Sequence, residues 1–151
     1  MPTNFDLFGR AERIEIVAAA IYGALAKRFR EDPDTEELFT RLEAEELQHA
    51  NRIRLLASAY RTDPKLVAKV SGGDELDTCL TEAEDALHEV QTGGWGPGLD
   101  DVKQRLGLLE VRLAKAHANM LALNGNGVLR DFFERLALMD DAHARLLLDP
   151  D

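Results

Sequence analysis

Residues 15–49 read EIVAAAIYGALAKRFREDPDTEELFTRLEAEELQH. Glu15, Tyr22, Glu46 and His49 interrupt apolar residues that otherwise recur at three- and four-residue steps. Such steps place side chains on one face of an α-helix. Residues 110–143, EVRLAKAHANMLALNGNGVLRDFFERLALMDDAH, repeat the arrangement with Glu110, His117, Asp140 and His143. Glu110 and His117 follow Glu15 and Tyr22 by 95 residues, and Asp140 and His143 follow Glu46 and His49 by 94. The same unit therefore occurs twice, with a register shift of a single residue.

Working outward, the periodicity predicts a helix from about Gly9 to Arg30, with Ala11, Glu15, Ala18, Tyr22, Leu25 and Phe29 on its inner seam. Asp32-Pro33-Asp34 breaks it, because proline disfavours helix in the residue before it. Asp34 or Thr35 is the expected cap of a second helix, about Thr35 to Tyr60, whose seam includes Leu42, Glu46, His49 and Ile53. A crossover, 61–98, follows. It should hold a short helix from Asp63-Pro64 to Val70, a hinge at Ser71-Gly72-Gly73, and a helix from Asp74 to Gln91 with Leu76, Leu80, Ala83, Leu87 and Val90 on one face. Thr92–Gly98 is too rich in glycine and proline for helix. Two more helices are predicted at about 99–123 and 128–148, joined by the turn Asn124-Gly125-Asn126-Gly127. Their seams carry Glu110 and His117 on the first, and Asp140 and His143 on the second. Short turns make each pair an antiparallel hairpin. Two hairpins joined by one long crossover are the ferritin-like arrangement among all-α four-helix bundles.

The 151 residues suit a single domain, 1–151, and 45% hydrophobic with 30% charged residues is ordinary for a globular chain. A net charge of −10 argues against a nucleic-acid partner, which needs clustered Lys and Arg. No apolar run approaches the length of a membrane span. The opening MPTNFDLFGRAER does not resemble a secretory signal, so a cytoplasmic protein is expected. Cys79 stands alone and reads as a reduced structural thiol on a helix. Trp95 reads as a loop residue filling a surface groove, and His88 as exposed. Glu45 falls off the seam that Glu46 shares with His49.

At 100° per residue, Glu46 with His49 and Asp140 with His143 each project from one helix face. Isolated carboxylates in an apolar seam would be very costly, and several together would repel. Cations among them remove both penalties. Four carboxylates and two imidazoles form a mixed oxygen and nitrogen set, suited to iron or manganese rather than to the thiolate-rich sites of structural zinc. One Glu on each of two helices, with a carboxylate-x-x-His on each of the others, is the di-iron and di-manganese bundle pattern. It assigns His49 and His143 as one nitrogen ligand per metal, Glu15 and Glu110 as terminal carboxylates, and Glu46 and Asp140 as bridges. Two metal ions are expected, iron or manganese by this donor set, with zinc as a substitute.

The motif Glu15-x6-Tyr22, then Glu46-Leu-Gln-His49, resembles the rubrerythrin-like branch of the ferritin-like superfamily, whose signature is Glu-x6-Tyr followed by Glu-x-x-His, twice. The second copy matches in part. Asp140 replaces glutamate, His117 replaces tyrosine, and Gly107 stands where typical members carry an additional glutamate. The resemblance implies a non-haem di-iron oxidoreductase acting on peroxide or O2, as a peroxidase or ferroxidase. It also implies that Tyr22 and His117 hydrogen-bond ligands rather than bind metal, although an extra-ligand role for His117 stays open. No Cys-x-x-Cys occurs, so an external electron donor is expected, and a homodimer is the expected assembly. Two other readings remain: a non-catalytic iron-binding or storage module, and a helical interaction protein with a vestigial site.

Overall fold

The computed structural model describes residues 2–64, 73–123 and 127–149. Among these, every element is an α-helix: α1 Asn4–Arg28, α2 Pro33–Tyr60, α3 Asp74–Gln91, α4 Leu99–Leu123 and α5 Gly127–Leu148. The all-α, ferritin-like class expected from the sequence is what the chain adopts. Of the short helix expected from Asp63-Pro64 to Val70, residues 65–70 lie outside the described residues, as do Ser71-Gly72 of the hinge and Asn124-Gly125-Asn126 of the turn. No described helix is long and apolar enough to cross a membrane. The chain divides into two compact units, Met1–Thr92 and Gly93–Asp151.

In the first unit, α1 begins at Asn4 rather than Gly9. Thr3 caps it: its hydroxyl accepts from the Asp6 N–H at 3.1 Å, and its own N–H donates to the Asp6 carboxylate at 2.9 Å. This reciprocal capping box satisfies two donors that the helix end leaves over. The backbone bond from Thr3 is the main reason the Asp6 carboxyl titrates below its usual value. At the other end, the Phe29 N–H returns to the Leu25 carbonyl. The cap of α2 is Asp32, not Asp34 or Thr35. Its carboxylate accepts from the Thr35 N–H at 3.4 Å and from the Thr35 hydroxyl at 2.8 Å. Pro33 then occupies the first turn, where its fixed φ fits and its missing N–H costs nothing.

Helix α1 is buried on more than the expected seam, with Leu7, Ile14, Val17 and Ile21 enclosed as well. The reason is that α1 packs against both α2 and α3. Burying one such Leu or Ile stabilises by about 1.5–3 kcal/mol. Helix α3 runs beside α1 in the same direction. Arg10 meets Asp77 at 3.2 Å near both N-termini, and the Arg28 guanidinium donates to the Val90 carbonyl at 2.7 Å near both C-termini. The ion pair is exposed and contributes at most about 1 kcal/mol. Leu76, Cys79, Ala83 and Val90 do more, being buried along α3. Cys79, in no disulfide among the described residues, takes the buried place expected of Leu80, which is only half-buried.

The second unit is the hairpin α4–α5. Val102, Leu106, Leu113, Met120, Leu129, Phe133, Leu136 and Leu147 form its apolar seam. The helices run antiparallel, since Gly107 early in α4 lies against Leu148 at the end of α5. A Cβ at Gly107 would fall 2.3 Å from the Leu148 Cγ, so only glycine permits this approach. Ahead of α4, Trp95 adopts φ +75 and lies partly buried, with the Arg105 guanidinium 5.8 Å from its ring centre. This cation–π contact contributes about 0.5–1 kcal/mol towards holding the left-handed backbone.

Candidate metal centre

In the first unit, α1 supplies Glu15 and α2 supplies Glu46 and His49, all essentially unexposed. One ligand atom from each of the three lies within 4.8 Å of the others. His49 Nδ1 stands 3.8 Å from Glu15 Oε2 and 3.6 Å from Glu46 Oε2. Burial disfavours the imidazolium. Glu15, then Glu46, outweigh it through hydrogen bonding and charge, and the His49 pKa is pushed up to about 10. The protonated form of His49 is thus favoured in the metal-free protein. A metal ion entering this cluster displaces that proton. Tyr22, two turns beyond Glu15 on α1, is buried, with its ring 6.3 Å from Phe39. Glu45 takes no part in this group and pairs with Arg41 at 3.6 Å.

In the second unit, α4 supplies Glu110 and α5 supplies Asp140 and His143. These too are buried and offer ligand atoms within 4.8 Å of one another. His143 Nδ1 faces Glu110 Oε1 at 3.4 Å, repeating the way His49 faces Glu15. Asp140 differs from Glu46. Its Oδ2 is hydrogen-bonded to His117 Nδ1, and with Asp140 as a carboxylate the ring nitrogen is the donor. The His117 ring is buried, 6.2 Å from that of Phe133.

Each hairpin therefore gathers its three expected ligands by itself. The donors are carboxylate oxygens and imidazole nitrogens, which suit iron or manganese. The antiparallel hairpin is the cause: it brings the Glu in the first helix level with the carboxylate-x-x-His of the second. Sequence reasoning missed one neighbour, Leu148, and one feature could have pointed to it. A glycine inside a helix costs about 1 kcal/mol relative to alanine, so Gly107 needed a packing reason.

Residues 6–93 match the protein family described as Rubrerythrin. No curated protein and no solved structure matches the chain. The matched span holds Glu15, Tyr22, Glu46 and His49, the tetrad whose residues fit the signature throughout, and it runs over α1, α2 and α3. It covers more than half of the sequence, and on that ground the chain belongs to the rubrerythrin family.

Proposed function

We propose that Glu15, Glu46, His49, Glu110, Asp140 and His143 together hold two iron ions, and that the protein is an oxidoreductase acting on peroxide or O2. One observation carries this reading: each hairpin buries the same cluster, with the α2 or α5 histidine turned through Nδ1 towards the α1 or α4 glutamate. Two iron ions held by these residues would supply the two electrons that cleaving an O–O bond requires. The residues supply the rest. His49 and His143 give one nitrogen to each ion. Glu15 and Glu46 would balance the charge of one ion, and Glu110 and Asp140 that of the other. Tyr22, buried on α1, holds a hydroxyl proton in a dry environment. Reduction of hydrogen peroxide to two waters consumes two electrons and two protons. The electrons come from a donor outside residues 1–151, a protein or a small reductant.

The test is anaerobic loading with Fe(II), followed by addition of peroxide. Two irons per chain, oxidised by one equivalent of peroxide and reducible again, support the reading. Two irons that bind but do not cycle with peroxide or O2 leave a binding module and overturn the oxidoreductase part. Absence of stoichiometric metal overturns the whole.

A further inference from the structure

The two hairpins are alike in backbone plan, and this makes their side-chain differences informative. At matched positions, Glu12, Tyr22 and Glu46 in the first correspond to Gly107, His117 and Asp140 in the second. Every replacement is the shorter side chain. The second hairpin has a physical reason to need this at Gly107, where Leu148 leaves no room for a Cβ. Nearer the cluster, the same economy appears in a donor and its acceptor. A tyrosine hydroxyl stands at the far end of its ring, whereas His117 Nδ1 lies on the near side, close to α4. An acceptor must come up to α4 to meet it, and the Asp140 carboxylate does so from α5.

Resting on the metal reading above, we infer that His117 and Asp140 form one positioning unit that makes the second metal position unlike the first. His117 commits Asp140 Oδ2 to the imidazole and presents Oδ1 to the ion. An ion held by Glu110, Asp140 and His143 would then take one oxygen from Asp140, whereas one held by Glu15, Glu46 and His49 would have both oxygens of Glu46 to draw on. With one carboxylate oxygen fewer from its own hairpin, the second ion would exchange more readily. His117 acts through Asp140 and is a positioning residue, not a ligand. Hydrogen-bond partners of this kind typically change metal affinity by about 10- to 100-fold.

Cobalt(II) titration of the full chain, followed by calorimetry and by the visible absorption of the bound ion, tests the unit. The wild type should bind two ions in steps separated by about tenfold or more. His117→Asn keeps a donor nitrogen where Nδ1 stands and should retain both steps and both spectra. His117→Tyr and Asp140→Glu, each alone, should weaken the second step. The double variant installs the residue types that stand at these positions in the first hairpin and should bring the two steps within about threefold, with a changed spectrum for the second ion. Neighbouring residues that work as a unit give such non-additivity. Thermal melts without metal show which variants fold, and His117→Asn alone still decides the case if the others do not. Additive effects of the single variants, equal steps in the wild type, or His117→Asn behaving as His117→Tyr would overturn the inference. A wild type that takes up no cobalt would overturn the metal reading itself, and this inference with it.

Discussion

Hairpin α1–α2 and hairpin α4–α5 solve the same problem with different amounts of side chain. Each buries two carboxylates and a histidine, and in each the histidine faces the glutamate of the neighbouring helix, at 3.8 Å in the first and 3.4 Å in the second. The first has a third helix, α3, packed on it, and the family match covers it throughout. The second consists of α4 and α5, and replaces Tyr22 and Glu46 by His117 and Asp140. Burial of ionisable groups is thus common to both, while the hydrogen bonding of the α2 or α5 carboxylate is what differs. Geometry that comes from helix period and short turns is repeated faithfully. Geometry that depends on side-chain reach has diverged.

The largest effect should come from removing ligands on one side at a time. Glu46→Ala should reduce iron uptake from two ions to at most one and lower peroxide turnover at least 100-fold, on the order expected when a group that fixes a reacting centre is lost. Asp140→Ala should lose the second ion but leave the first, because His117 already shares Asp140. Metal analysis with single-turnover oxidation distinguishes them, and equal loss in both would break the comparison.

The next effect lies in the glycines. Gly107→Ala pushes a methyl into Leu148 Cγ and should destabilise by about 1–3 kcal/mol in chemical unfolding. Leu148→Ala in the same chain should recover most of it. Gly23 in the first hairpin makes a superficially similar contact, its added Cβ lying 2.1 Å from Glu43 Oε2. That atom is the tip of a half-buried, flexible side chain. Gly23→Ala should therefore be neutral or stabilise by up to about 1 kcal/mol, from helix propensity. Opposite signs sharpen the contrast between the hairpins, and like signs remove it.

His49 sets the pH response of the metal-free protein. Its pKa rises from 6.5 unfolded to about 10 folded, so protonation stabilises the fold. The contribution is fully present below pH 6.5 and disappears as pH rises through about 10. Thermal melts of metal-free protein should fall across that window, and His49→Gln should flatten the fall. Iron affinity should move the other way, rising with pH as the competing proton becomes easier to displace. A metal-free melt that is flat from pH 6.5 to 10 would falsify this assignment. The smallest effect is structural. Asp32→Ala removes the cap of α2 and should cost about 1 kcal/mol without altering metal stoichiometry.

Much of this was legible in the sequence because helix period is a strong signal. The seams through Glu15, Glu46, Glu110 and Asp140 were read correctly, and α3, α4 and the ends of α2 and α5 fall where the apolar pattern puts them. Helix starts were harder. The Thr3–Asp6 box begins α1 ahead of its expected start, since capping is decided by a few hydrogen bonds rather than by a repeating pattern. Likewise Asp32 outcompetes Asp34 as the α2 cap once Pro33 fills the first turn. Cys79 displaced Leu80 from the buried face of α3 because a single residue of phase settles which side faces α1. The pairing of His117 with Asp140 was beyond sequence alone. Spacing shows that two residues share a hairpin, but reach and ring orientation decide which atoms meet.

Anomalous scattering at the iron edge, from crystals of protein loaded with Fe(II) without oxygen, tests the central claim most directly. Two peaks are predicted per chain, one within bonding distance of Glu15 and His49 and the other of Glu110 and His143, the latter with the lower occupancy. Absence of a peak at either cluster would contradict the account.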